Sequence, residues 1–174
     1  MKTLDYYIQS KRFKKAGKFI NPNSKLLDIG CNQCEFFSFL SNKGIYGIGI
    51  DPDPVQPLAA ILRNVRFINS EFPSEKLDGE IFDTISALAV FEHIPAASHG
   101  KFTQSCNELL KPGGTITLTV PSPIVDYLLH LLKFFRLIDG MTPEQHHGYN
   151  PDDNTSILSM QVLNLSYMKN LNLA

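Results

Sequence analysis

Lys25-Leu26-Leu27-Asp28-Ile29-Gly30-Cys31-Asn32-Gln33-Cys34-Glu35 is the stretch that decides how this chain is read. A short apolar run ends on an acid and a glycine, a tight polar turn follows, and Phe36-Phe37-Ser38-Phe39-Leu40 opens a helix. Strand, turn and helix N-terminus make the first half of a βαβ unit. In open α/β sheets, ligands bind beyond the carboxyl ends of the strands, where main-chain N–H groups and helix dipoles meet them. Ile45-Tyr46-Gly47-Ile48-Gly49-Ile50 then predicts a second strand ending on Asp51. An acid there is placed to accept hydrogen bonds from both hydroxyls of a ribose. Two consecutive strands thus carry an acid to one edge of the sheet, which reads as a nucleoside-cofactor site.

Composition narrows the classes. The 174 residues are 43% hydrophobic and 19% charged, ordinary values for a single globular domain with its own core. Net charge is −1, from 16 Lys and Arg against 17 Asp and Glu, so no large basic surface for nucleic acid is expected. The N-terminus lacks the apolar core of a signal peptide, and no apolar run reaches the roughly 20 residues of a bilayer span. Three cysteines are not a disulfide framework and point to a reducing, cytoplasmic compartment.

Further along, strand and helix patterns alternate. Val65 to Ile68 reads as a third strand after a short helix over 55–63, and Glu80 to Leu88 as a fourth, apolar enough to be buried on both faces. Ala97 to Leu110 reads as a helix, Pro112-Gly113-Gly114 as a turn, and Thr115 to Val120 as a fifth strand. The alternation predicts an α/β fold with a doubly wound, mainly parallel sheet. Residues 4–20 suit an amphipathic helix, and a last helix is expected over 153–170.

Leu27-Asp28-Ile29-Gly30-Cys31-Asn32-Gln33-Cys34 resembles the first motif of the class I S-adenosylmethionine-dependent methyltransferases, acid-x-Gly-x-Gly-x-Gly. Phe82-Asp83 leading to Phe91-Glu92-His93-Ile94 resembles that family's fourth-strand motif. Glu108-Leu109-Leu110-Lys111-Pro112-Gly113-Gly114 resembles the approach to its fifth strand. The matches follow the family's order over roughly residues 12–150. Asn32 and Cys34 depart from it, standing where the second and third glycines usually are; Asn tolerates positive φ better than most residues.

The resemblance implies a Rossmann-like methyltransferase domain that binds S-adenosylmethionine and releases S-adenosylhomocysteine. Asp28 would organise the first turn and the methionine amino group, and Gly30, Cys31 and Asn32 would give the close main-chain approach. Asp51 would hold the ribose, and Pro52 would shape the adenine wall. Ser70 and Glu71 are both candidates for the adenine amino group. Leu88, Ala89 and Val90 would line the methionine arm, and Arg12 on a leading helix would pair with the methionine carboxylate.

The implied organisation is one domain: an N-terminal helical cap (1–22), a cofactor-binding core (23–120) and substrate-side helices (121–174). The family's C-terminal strand pair is expected to be lacking. His146 and His147, in a loop that would face the substrate, are the candidate catalytic bases, whereas His93 reads as structural. Residues 124–138 form a very apolar stretch in which Asp126, His130, Lys133 and Arg136 make one narrow polar stripe. That stretch suits burial within the domain itself, an acceptor pocket, a homodimer contact or a peripheral membrane contact. The acceptor is read as a small molecule or lipid-like.

Four rival readings share these residues. Cys31-x-x-Cys34 at a strand-to-helix turn resembles a thioredoxin-like site, but then the two acids have no role. A zinc site lacks a second cysteine pair, so no metal is expected. An NAD-dependent oxidoreductase also ends its second strand on an acid, yet needs a three-glycine fingerprint directly after the first strand. A catalytically weak or inactive binding protein or partner subunit of the methyltransferase fold is the alternative from a different class.

Overall fold

In β1 (Lys25–Ile29) side chains alternate between the two faces of a sheet, as a strand buried on both sides requires. Leu27 and Ile29 enter one core with Ile48, Ile50, Ile85, Ala87, Ile116 and Leu118; Leu26 joins a second with Ala16, Phe36, Phe37 and Leu40. The computed structural model describes residues 3–53, 62–121 and 160–166. Around β1 stand α1 (Thr3–Ala16), α2 (Glu35–Phe39), β2 (Tyr46–Asp51), β3 (Val65–Asn69), β4 (Phe82–Leu88), α3 (His99–Leu109), β5 (Leu110–Pro121) and β6 (Met160–Ser166).

The sheet order is β3-β2-β1-β4-β5-β6, with the first five strands parallel and β6 antiparallel to β5. This is the expected doubly wound, mainly parallel sheet, and its direction of winding reverses beside β1. Between β1 and β4 the carboxyl ends therefore open a crevice.

Two expectations are corrected. The helix expected over 153–170 is, over Met160–Ser166, a strand paired from Thr115↔Ser166 to Pro121↔Met160. The register sets β-branched Val162 opposite Thr119, and the Thr and Val residues along β5 favour strand pairing over a local helical pattern. One antiparallel strand thus stands where the C-terminal strand pair was expected to be lacking. The turn expected at Pro112-Gly113-Gly114 lies within β5 as an irregularity: Phe82 pairs with Leu110 and Thr84 with Thr115, and Gly113 takes φ 76° at the bulge.

The helix expected over 55–63 falls largely outside the described residues, as do His146, His147 and residues 124–138. Among the described residues, no helix is long and apolar enough to cross a membrane.

Candidate functional site

The first turn follows from one close approach. Gly30 takes φ 68°, and a Cβ there would overlap Cγ2 of Val90, so only glycine lets the turns after β1 and β4 meet. The Gly30 and Cys31 N–H groups both donate to the carbonyl of Ile50, at 2.8 and 3.3 Å, which ties the turn to β2. Asn32 and Cys34 carry φ values of 48° and 60°. The turn therefore keeps a left-handed course at both positions where the family pattern has glycine.

Asp51 ends β2 with both carboxylate oxygens engaged by main chain. Oδ2 accepts from the Asn32 N–H at 2.8 Å and Oδ1 from the Asp53 N–H at 2.9 Å. Each oxygen keeps a further lone pair. The Asn69 side-chain amide donates to the carbonyls of Pro52 and Asp53, at 2.9 and 3.0 Å, pinning the turn beyond Asp51. Ser70 stands beside it, its N–H on the Asp51 carbonyl at 3.0 Å and its hydroxyl 3.1 Å from that of Ser74, while Glu71 is exposed.

Asp28 is almost wholly buried and accepts a 2.6 Å hydrogen bond from the Ser86 hydroxyl at Oδ1. Burial pushes its carboxyl up to about 7; the Ser86 bond opposes the shift, and the Glu35 and Asp51 charges add to it. A cleft of about 190 Å³ opens here, bounded by Asp28, Gly30 and Asn32 after β1 and by Leu88 after β4. Gln9, Arg12 and Phe13 close it from α1. Burial lowers the pKa of the Arg12 guanidinium, and the Glu92 carboxylate, on the turn after β4, acts the other way. Glu92 Oε2 is buried and accepts no hydrogen bond among the described residues.

After β4 the chain turns sharply at Ala89, φ 59°, a costly value for a residue with a Cβ. Its N–H donates to Oγ1 of the fully buried Thr119 at 2.8 Å, which holds the turn in place. Val90 thus meets the turn after β1 and Leu88 lines the cleft, while His93 is exposed.

Cys31 and Cys34 are buried free thiols, 3.4 Å apart between sulfurs. Their mutual hydrogen bond and burial raise the pKa of the Cys31 thiol, away from the thiolate that redox attack requires. Among the described residues, no group of three His, Cys, Asp or Glu side chains is placed to hold a metal.

A larger groove of about 470 Å³ lies at the amino ends of β1 to β3, beside Lys25, Tyr46 and Arg66. Lys25 and Arg66 there both reach Glu80 at 2.6 Å, and Arg63 lines the same groove. Position at the carboxyl edge and convergent polar groups favour the smaller cleft.

A family model described as a methyltransferase domain matches residues 2–158. The chain belongs to that methyltransferase-domain family. It is 29% identical over 103 residues to the ubiquinone biosynthesis O-methyltransferase of Pseudomonas aeruginosa strain LESB58, covering 55% of this chain and 43% of that protein. It is 28% identical over 168 residues to the mitochondrial ubiquinone biosynthesis O-methyltransferase of Mus musculus, covering 84% of this chain and 43% of that protein. This methyltransferase-domain chain spans about half the length of the curated relatives it matches.

In fold it is similar to the 1,6-didemethyltoxoflavin-N1-methyltransferase of Burkholderia thailandensis, solved with S-adenosylhomocysteine bound. The TM-score is 0.66 at 19% identity, over 95% of this chain and 82% of that one.

The structure brings Arg12, Asp28, Gly30, Cys31, Asn32 and Leu88 to one cleft, with Asp51 bonded to its rim. Sequence reasoning passed over Ser86, Thr119, Asn69 and Glu92. Thr84 and Ser86 alternate with Ile85 and Ala87 in β4, and that period of two was the available signal.

Proposed function

We propose that this domain binds S-adenosylmethionine in the cleft after β1 and β4 and transfers its methyl group to a small-molecule or lipid-like acceptor. The observation that carries the proposal is the pair of acids, Asp28 and Asp51, at the carboxyl ends of adjacent strands, with Asn32 bonded to one of them. These residues fit the cofactor's chemistry. Asp28 and Glu35 offer negative charge to a sulfonium and an ammonium, Arg12 offers a cation to a carboxylate, and Asp51 offers acceptors to ribose hydroxyls. Pro52, Ser70 and Glu71, which follow Asp51 and β3, would meet the adenine ring. When bound, the cofactor supplies a methyl group on an activated leaving group. The domain's part is to hold that group, exclude water and align an acceptor.

The acceptor class rests on the named relatives, which include ubiquinone O-methyltransferases and, in fold, the cyclopropane synthase MmaA2 of Mycobacterium tuberculosis. Residues 1–22 serve as a cap over the cofactor core, and 121–174 serve the acceptor side, where His146 and His147 supply the base and residues 124–138 meet acceptor, membrane surface or second subunit. Free, buried thiols in the site suit a cytoplasmic setting.

Calorimetric titration with S-adenosylmethionine, S-adenosylhomocysteine and NAD tests the reading, followed by transfer from methyl-labelled cofactor to phenol, amine and unsaturated-lipid acceptors. Binding of both sulfur compounds and not NAD is expected. A folded chain that ignores S-adenosylmethionine overturns the proposal, and binding without transfer to any acceptor favours a partner subunit.

A further inference from the structure

Across the sheet, the register aligns Asp28 of β1 with Ser86 of β4, and Ser86 with Thr117 of β5. All three are buried, at 3%, 0% and 0% exposure, on the sheet face opposite Ile85, Ala87, Ile116 and Leu118. A polar row in a parallel sheet has a cost unless its members are bonded, and apolar residues would fill this face more cheaply. The row ends at the cleft on a carboxylate whose Oδ1 accepts a hydrogen bond from the Ser86 hydroxyl at 2.6 Å.

We propose that Ser86 is a positioning residue for cofactor binding: its hydroxyl orients the Asp28 carboxylate and keeps it ionised toward the cationic end of S-adenosylmethionine. The proposal rests on the cofactor reading above and names a residue outside the cleft lining. The Ser86 hydroxyl donates to that carboxylate and opposes its protonation, against several influences that favour it. Glu35 at the start of α2 and Asp51 at the end of β2 repel the charge, and burial disfavours it. Arg12 on α1 lines the same cleft, and the Cys31 thiol on the turn stays protonated in the same field. A hydroxyl donating to a carboxylate favours the charged form. Without it, more of the protein carries a neutral Asp28 near pH 7, and a cation finds less to bind.

The test is Ser86→Ala beside Ser86→Cys, which keeps the side chain's branching with a larger atom and is a weak donor. Carboxyl-carbon NMR of aspartate-labelled protein without cofactor should show the Asp28 titration moved upward in both variants, about tenfold in proton affinity. S-adenosylmethionine affinity by calorimetry should fall about fivefold at pH 7 and recover by about pH 9, where Asp28 is ionised regardless. An unmoved titration in a folded variant overturns the proposal, as does a loss of affinity equal at every pH, the mark of packing alone. Wild-type protein that does not bind S-adenosylmethionine would overturn the cofactor reading and the ligand assigned to Asp28. The NMR titration would still decide whether Ser86 sets that charge.

Discussion

The Asn32 N–H and the Asp51 carboxylate are joined at 2.8 Å, so the turn after β1 and the end of β2 move as one piece. The bond fixes the direction of Asp51 before any ligand arrives, since its second oxygen is held by Asp53. Preorganisation of this kind lowers the ordering cost of binding.

Asp51→Ala should therefore weaken S-adenosylmethionine binding by about 2–3 kcal/mol, the range of charge-assisted hydrogen bonds, plus a contribution from the loosened turn. Asp51→Asn keeps one acceptor and should lose less. Calorimetry on folded variants reads both, and unchanged affinity would take Asp51 out of the site.

Asp28 makes stability depend on pH. Its folded carboxyl titrates near 7, against about 3.9 in an unfolded chain. The folded protein then retains a proton that the unfolded chain releases, so stability falls as pH rises from about 4 to about 7 and levels off above. At roughly 1.4 kcal/mol per unit the whole effect is on the order of 4 kcal/mol. Asp28→Asn should flatten that slope in urea melts and be more stable than wild type at pH 8, while losing cofactor affinity. A less stable Asn variant at pH 8 would show that the charge is not opposed by its surroundings.

The sequence displayed the fold's frame because β1, β2 and β3 are short, largely apolar runs that each end in a polar turn. It also displayed the acids, because each terminates an apolar run. It did not display Ser86 or Thr119, whose roles come from strands 58 and 30 residues away in the chain from the groups they bond. The strand at Met160–Ser166 was hidden for the same reason: its pairing with β5 is a non-local contact that overrides a helical spacing of apolar residues.

Asn32 tests the departure from the glycine pattern. At φ 48° it sits in the left-handed region, where a β-branched side chain is strained by about 1–2 kcal/mol or more. Asn32→Gly should hold or improve cofactor affinity, losing only the exposed 3.1 Å bond to Glu35. Asn32→Val should lower both melting temperature and affinity. Equal affinities for the two variants would mean that the turn does not approach the cofactor.

Gly49 is the counterpart of the two cysteines. A Cβ there would lie 2.6 Å from the sulfur of Cys31 and 2.7 Å from that of Cys34. Gly49→Ala should cost about 1–3 kcal/mol of stability, as overpacking does. Adding Cys31→Ala and Cys34→Ala should recover part of that cost, a coupling that a thermodynamic cycle measures. Strict additivity would show that the strain is relieved elsewhere.

Phe13 carries the last prediction, on how α1 reaches the cleft. Its ring lies 5.0 Å from that of Phe36 and 5.8 Å from that of Phe39, so α1 is clamped to α2 through aromatic contact. Below that clamp, Lys43 donates to the carbonyls of Gly17 and Ile20, both at 2.7 Å, holding the segment after α1. Gln9 and Arg12 precede Phe13 on the same helix and line the cleft, so the clamp sets where they stand. Full burial of Phe is worth about 3–5 kcal/mol against Ala, and a half-buried ring roughly half of that. Phe13→Ala should cost about 2 kcal/mol, leave far-UV circular dichroism nearly unchanged, and weaken S-adenosylmethionine binding about tenfold because Arg12 is no longer held. Arg12→Gln should weaken binding similarly with little change in melting temperature, which separates the ligand contact from the clamp. Wild-type affinity in a Phe13→Ala protein whose α1 is newly open to protease would show that the cofactor binds without this helix.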